Sequence, residues 1–433
     1  MRRHARKGGG HQVEVEIKGV GARGDGVGDY AGRPVFVPQA LTGDRLRVRL
    51  VAEKSGGWRG EPVELLSEGP GHREPPCPHF GPCGGCSVQH LDSAPYADWK
   101  RGLLVEAFVR QDLPTNAIGA LVGVPERSRR RASLAAQRRG RRIFLGFHRR
   151  ASHDVVDLSD CLVLSPGLFR LLVPLREALA PLLSDGEVAD VVAIETEVGP
   201  DLLILSATAP GIEAREALST LAVDVGVARI SWADGPMAVP EPVVVRRTPV
   251  IRFADTAVAV PPGGFLQPTR EGEAALVQAV LAGLPAASGR YLDLFAGSGT
   301  FSLPLAAGGP VKAVEGDEAA LTALQAAARA VGLEGRLVVE RRDLARRPYL
   351  SQELAGFDAV VFDPPRIGAR EQAQQLAASP VPRVIAVSCN PATLARDARI
   401  LVDGGYEITS VTPVDQFLWT AHLEAVAVFS RGG

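Results

Sequence analysis

Residues 291–306, YLDLFAGSGTFSLPLA, decide the fold. An apolar run leads into Gly297-Ser298-Gly299 and then into a second apolar stretch, the pattern of a strand, a glycine turn and a helix start. The rhythm repeats in KAVEGDEAALTALQAAARAVGL (312–333), RLVVERRD (336–343), FDAVVFDPPR (357–366) and VIAVSCNP (384–391). Strands that alternate with helices in this way predict a doubly wound, Rossmann-like parallel sheet. The ligands of such a sheet lie beyond the carboxyl ends of its strands. The chemistry-bearing residues fall at those ends: Glu315 closes the second strand, and Asp343, Asp363 and Cys389 follow the next three. Glu315 is placed to accept hydrogen bonds from ribose hydroxyls. NAD is one candidate, but Ser302 stands where the dinucleotide fingerprint needs its third glycine, and an isolated G-x-G is weak evidence.

Outward from this core the chain is too long for one ordinary domain: 433 residues, 46% of them hydrophobic, imply several cores. Residues 1–70 hold short alternating runs, EVEIKGV, RPVFVPQAL, DRLRVRLVAEK and GEPVELLSEG, broken by Gly, Asp and Pro. These predict a five-stranded OB-like barrel, a scaffold used both to bind single-stranded nucleic acid and simply to pack. Residues 71–260 read as a central α+β domain, and residues 261–433 as the doubly wound domain. Within the central domain, 92–113 shows helical spacing at Trp99, Leu103, Val105, Phe108 and Val109, and is expected to pack on the central core. The opening MRRHARKGGGHQ is basic but leads into no apolar segment, and no run is long enough to span a bilayer, so cytoplasm is the expected compartment.

Formal net charge is −1, yet ten arginines crowd residues 127–150. PERSRRRASLAAQRRGRRIFLGFHRR reads as a strand-turn-strand with one basic face, and residues 127–150 hold no compensating carboxylate. That favours phosphate binding over a merely solvated surface. Upstream, Cys77, Cys83 and Cys86 are spaced C-x5-C-x2-C, and Cys161 supplies a fourth thiol. Disulfides are disfavoured in a reducing compartment. By spacing alone zinc and an iron–sulfur cluster both fit, with His79 or His90 as further zinc donors.

In combination these segments carry a family resemblance. The barrel, CPHFGPCGGC (77–86), DLFAGSGTFSLPLA (293–306), DPPR, SCNPATLARD (388–397) and the His-Leu-Glu of AHLEAVAVF (421–429) occur in the order seen in RNA 5-methyluridine methyltransferases. The closest resemblance is to the iron–sulfur type that acts on 23S rRNA, and it covers nearly the whole chain. It implies that the barrel is a TRAM domain and that the methyl donor is S-adenosylmethionine. It also implies a [4Fe-4S] cluster held by Cys77, Cys83, Cys86 and Cys161, with Cys389 as nucleophile and Glu424 as the base. Gln267, Phe295, Glu315, Asp343 and Asp363 are implied as cofactor-binding residues, Asp363 also facing the uracil edge, and Phe265 accompanies Gln267. The RNA partner implied is ribosomal rather than transfer RNA, for an enzyme compatible with a monomer. The chain departs from the family pattern at Pro268-Thr269, Thr300 and Leu418. Two other classes compete: an RNA amino-group methyltransferase, which uses Asp-Pro-Pro-aromatic where Arg366 stands here, and an RNA-binding protein with a structural metal. Neither needs a thiol at Cys389.

Overall fold

The computed structural model describes residues 11–52, 56–285 and 288–432, and the counts below are of those residues. The basic opening stretch, residues 1–10, lies outside them. The chain divides into two units, Met1–Lys100 with Trp419–Ala421, and Arg101–Leu418 with His422–Gly433.

In the first unit β1 (Gln12–Val20), β2 (Gly26–Tyr30), β3 (Arg33–Val37), β4 (Arg45–Ala52) and β5 (Trp58–Ser67) close into a barrel in the order β1-β2-β3-β5-β4. Alternate side chains of a strand face opposite ways, so Val13, Val15 and Ile17 of β1 point inward, among Val35, Val37, Val48 and Leu50. Closure removes the unpaired edges that an open sheet would expose. Gly28 is required for it: a Cβ there would fall 2.2 Å from the Val15 side chain. The five-stranded barrel expected from residues 1–70 is therefore present.

The second unit begins within α1 (Ser93–Val109) and continues through the short β6 (Val122–Gly123). Leu104, Ala107 and Phe108 of α1 are buried with Leu292, Val360 and Val384 of the C-terminal sheet, not on the central core. Apolar spacing marked a buried face of this helix; it carried no information about what covers it.

A seven-stranded sheet comes next, from β7 (Arg131–Arg139), β8 (Arg142–His148), β9 (Val155–Asp157), β10 (Val188–Thr196), β11 (Gly199–Leu205), β12 (Arg229–Ala233) and β13 (Glu241–Val245). Its order is β13-β12-β11-β10-β7-β8-β9, and α2 (Pro166–Arg170), α3 (Leu172–Leu179) and α4 (Ile212–Asp224) accompany it. A hairpin, β14 (Val250–Phe253) and β15 (Thr256–Ala259), then leads to α5 (Arg270–Ala282).

The C-terminal sheet contains β16 (Tyr291–Leu294), β17 (Val311–Glu315), β18 (Leu337–Arg341), β19 (Ala359–Phe362), β20 (Arg383–Ser388), β21 (Glu407–Asp415) and β22 (Glu424–Ser430), with β6 at its edge. Their helices are α6 (Ser302–Gly308), α7 (Glu318–Ala330), α8 (Arg370–Ala377) and α9 (Pro391–Asp403). The order is β18-β17-β16-β19-β20-β22-β21-β6, with β16 to β20 parallel and β22 antiparallel to both neighbours. All four residues of β16 and of β19 are buried, as expected of parallel strands covered on both faces. Chain direction reverses across the sheet between β16 and β19, and a crevice opens at such a switch point. Among the described residues no helix is long and apolar enough to cross a membrane.

The arginine-rich segment forms the expected strand-turn-strand, β7 and β8, and several of its arginines meet carboxylates or carbonyls of the protein itself. Arg127 pairs with Asp160 at 3.1 Å, Arg139 with Asp154 at 2.8 Å and Arg142 with Asp157 at 3.6 Å. Arg138 donates to the carbonyls of Ala180 and Leu183, each at 2.8 Å. Arg130 is buried and pairs with Glu273 of α5 at 2.7 Å. The partners escaped the sequence reading because folding brings them in: β9 runs back along β8, and Glu273 of α5 comes from 143 residues further along the chain. Part of the segment's charge is thus taken up by internal partners, Glu273 of the buried Arg130 pair above all. Burial lowers the pKa of Arg130 and raises that of Glu273, so removing one partner strands the other charge. Arg130→Met is therefore expected to lower stability by about 3–5 kcal/mol, read by denaturant unfolding.

Candidate active site

The glycine turn sits at the switch point, beyond β16. Phe295 has φ 63° and Gly297 φ 53°; at Gly299, φ 104°, a Cβ would fall 2.5 Å from the Leu324 side chain of α7. Only glycine at 299 allows the turn to lie this close to the helix. The Gly297 amide donates to Glu315 Oε2 at 3.0 Å, while Oε1 accepts from Gly316 at 2.6 Å and Asp317 at 2.9 Å. Three backbone amides thus fix the Glu315 carboxylate at the end of β17, and its remaining lone pairs stay available to hydroxyl donors. Asp343, past β18, lies beside Gly316, where it accepts from the Ala345 and Arg346 amides and caps the turn that follows.

Asp363 follows β19 directly, its amide donating to the Leu294 carbonyl of β16 at 3.2 Å. Burial pushes its pKa up to about 7. Cys389 follows β20, at the start of α9. Asn390 is the helix N-cap, accepting from the Ala392 amide at 3.1 Å and donating through Nδ2 to the Arg366 carbonyl at 3.2 Å. Ser388 pairs with Ala425 across β20 and β22, and the antiparallel register then places Cys389 beside Glu424. Glu424 is buried, and its Oε2 has no hydrogen-bond partner. Burial, then the nearby Asp363, push its pKa up to about 8 against an opposing hydrogen bond from Gln416. The Cys389 thiol is pushed up to about 11, by burial first and then by Glu424 and Asp363, with Arg366 pulling the other way. The Asn390 cap and the start of α9 offer dipoles that favour a thiolate, but burial and the two carboxyl groups outweigh them.

Gln267 is buried just before α5. Its Oε1 accepts from Gln416 Nε2 at 2.6 Å, and its carbonyl accepts from Arg130 Nε at 3.2 Å. The departures next to it have structural uses: the Pro268 carbonyl accepts from the Arg130 amide at 2.8 Å, and Thr269 caps α5 by accepting from Gly272 at 3.0 Å. Phe265 is 62% exposed, with the Arg131 guanidinium 5.9 Å from its ring centre. Thr300 is buried and Leu418 half-buried. Three positions not assigned to it from the sequence belong to this site. Arg130 is legible only as part of the basic run, and Gln416 left no local signal. Asp293 did, as an acid inside an apolar strand; it accepts from Ser302 Oγ at 2.5 Å and is pushed up to about 7 by burial, with Asp363 and Glu315 adding to the shift.

The cysteine segment is a run of turns in the first unit. Phe80 donates to the Cys77 carbonyl at 3.1 Å, Cys83 to that of His79 at 3.0 Å, and the Gly85 amide to Cys83 Sγ at 3.4 Å. An amide aimed at sulfur suits thiolate ligation. Among the described residues, however, no three His, Cys, Asp or Glu side chains already stand as a set that could hold a metal ion. The His90 ring faces the Gln39 carbonyl, with Nε2 at 2.9 Å, and burial pushes its pKa down to about 4, so the ring is neutral. Cys161 is buried in the second unit, its amide donating to Asp160 at 2.7 Å.

Comparisons with known proteins agree with this geometry. Residues 254–431 match the family model described as tRNA (Uracil-5-)-methyltransferase. An uncharacterised RNA methyltransferase of Rhizobium meliloti is 42% identical over 423 residues, covering 96% of this chain and 99% of the relative. The 23S rRNA (uracil(1939)-C(5))-methyltransferase of Chromohalobacter salexigens is 37% identical over 411 residues, 93% of this chain and 86% of that one. In fold, the chain is similar to the Pyrococcus abyssi tRNA (uracil-54, C5)-methyltransferase solved with S-adenosyl-L-homocysteine. The TM-score is 0.73 at 22% identity, covering 96% of this chain and 100% of that one. The chain belongs to the RNA uracil-C5 methyltransferase family, enzymes that draw their methyl group from S-adenosylmethionine.

Proposed function

We propose that this enzyme methylates C5 of a uridine in ribosomal RNA through a transient bond between Cys389 Sγ and C6 of the base. The observation that carries the reading is the register of β20 against β22, which sets a thiol beside a buried carboxyl group, with Asp363 as a second. C5 of uracil is a poor nucleophile. Addition of the thiolate at C6 pushes the ring electrons toward C5, which can then take the methyl group that S-adenosylmethionine supplies when bound. The C5 proton passes to the Glu424 carboxylate, the C–H electron pair restores the C5–C6 double bond, and the C6–S bond breaks to return the thiolate. Burial holds the sulfur as thiol, so attack also requires its proton to leave, and Glu424 and Asp363 are the carboxyl groups that face it.

A pH dependence follows. Only an ionised Glu424 can accept the C5 proton, and the site keeps Glu424 and Asp363 protonated up to about 8 and about 7. Methyl transfer is expected to climb as pH rises through that interval. A rate already at its plateau two units lower, in a labelled-methyl assay on RNA, contradicts the assignment.

Gln267, Phe295, Glu315, Asp343 and Asp363 are assigned to S-adenosylmethionine; their support is that they gather at the carboxyl ends of β16 to β19 or just before α5. We divide the chain functionally into the barrel, residues 1–70, a central domain, 71–260, and the catalytic domain, 261–433. Cys77, Cys83, Cys86 and Cys161 are assigned to a [4Fe-4S] cluster on their donor chemistry and on the amide aimed at Cys83. The methylation involves no oxidation or reduction that would need an electron carrier, so its part is structural or RNA-orienting. Ribosomal RNA is favoured over transfer RNA because the 23S-specific relative is 37% identical across nearly the whole chain. Flipping a uridine out of folded RNA costs roughly a few kcal/mol, which contacts to the barrel would offset. Mass mapping of ribosomal and transfer RNA from cells with and without the gene tests the substrate. A methyl lost from one ribosomal uridine supports the reading; loss from a transfer RNA uridine or from an adenine overturns it.

A further inference from the structure

We propose that Gln416 is a positioning residue of this active site, its carboxamide nitrogen shared between Gln267 and Glu424 so that the cofactor-side residue and the base are held in one register. Gln416 lies just past β21 and is 1% exposed. Its Nε2 donates to Gln267 Oε1 at 2.6 Å, and Glu424 stands opposite Val414 in the β21–β22 pair, two residues along the chain from Gln416. A primary amide has two N–H donors, enough for both acceptors. Its oxygen, in contrast, is buried without a partner. Leucine or methionine would fill the same volume without burying an unpaired carbonyl, so the amide is kept at a cost.

The seat for this amide is built. Gly272, in the first turn of α5, faces it, and a Cβ there would stand 2.5 Å from Gln416 Oε1 and 2.6 Å from Thr269 Oγ1. Glycine is a poor helix residue, and here its missing side chain is what admits the glutamine. Two consequences follow for the chemistry. With Gln267 Oε1 occupied, the Nε2 of that residue is left to donate outward. With the second N–H of Gln416 given to the Glu424 carboxylate, the ionised base is favoured against the two influences that oppose it, burial and the Asp363 carboxylate, while Oε2 stays open toward the reacting base. Asp363 and the Cys389 sulfur are the titratable groups facing Glu424 from β19 and β20.

The inference rests on Glu424 as the acceptor of the C5 proton, and the test separates the two. Gln416→Leu, Gly272→Ala and Glu424→Gln are each run in single turnover on RNA with methyl-labelled S-adenosylmethionine, and methyl-labelled covalent enzyme–RNA complex is counted under denaturing conditions. If Gln416 positions the base, Gln416→Leu loses tenfold or more in turnover and accumulates methylated adduct. The rising limb of its pH profile also moves to higher pH, since the bond that lowers the Glu424 pKa is gone. Gly272→Ala, which crowds the amide from behind, gives the same signature more weakly and decides the matter should Gln416→Leu fail to bind S-adenosylmethionine. If Glu424→Gln accumulates adduct while neither other variant does, Gln416 has no such part although the base is assigned correctly. Absence of adduct in all three overturns the base and this inference together.

Discussion

Cys389→Ala is expected to lower methyl transfer by about four orders of magnitude or more, with binding of S-adenosylmethionine retained. The size follows from what the sulfur does: without addition at C6 there is no electron density at C5 to capture a methyl group, and no other cysteine lies among the residues gathered at this crevice. Cofactor binding survives because the residues assigned to it sit on β16 to β19 and before α5, whereas Cys389 follows β20. RNA carrying 5-fluorouridine gives an independent check. Fluorine cannot leave C5 as a proton does, so the wild-type protein is trapped as a covalent complex through residue 389 and the alanine variant is not. Full activity in Cys389→Ala would move the chain to an amino-group methyltransferase, for which no thiol is required.

Glu424→Gln should cost roughly 10²–10⁴ in turnover, the usual contribution of a positioned general base. Its signature differs from that of the cysteine variant. Addition and methyl transfer precede deprotonation, so the glutamine variant still forms the methylated adduct and resolves it slowly; a denaturing gel with labelled methyl groups shows a complex that the wild type does not accumulate. The substitution also removes a carboxyl group that burial pushes up to about 8 beside a thiol pushed up to about 11. Glu424→Gln is therefore expected to be folded and at least as stable as the wild type above pH 8. The sign follows from linkage: an acid whose pKa folding raises from 4.5 to about 8 costs stability progressively as pH climbs between those values, and the full cost remains above 8. Thermal unfolding of wild type and variant from about pH 4 to 9 measures the divergence.

Much of the site was legible because its residues stand where one strand ends and a loop begins. Glu315, Asp343, Asp363 and Cys389 each follow an apolar run, and the alternation of strand and helix alone places all four along one edge of a parallel sheet. The arginine segment shows the opposite case. Its charge was plain in the sequence and its use was not, since Arg130 meets Glu273 only when α5 docks beside β7. Gln416 was invisible for the same reason. A glutamine before an apolar loop says nothing until β21, α5 and the segment with Gln267 are brought together.

The amino-acid sequence by itself determined the doubly wound sheet, the five-stranded barrel and the residues able to do thiol and carboxylate chemistry, because hydrophobic period, glycine turns and side-chain type are local properties. Tertiary structure alone decided that Cys389 lies beside Glu424, that burial pushes the pKa of both upward, and that Arg130 is an internal strut. These depend on antiparallel register and on burial, and both arise only when segments distant in the chain pack against one another and exclude water.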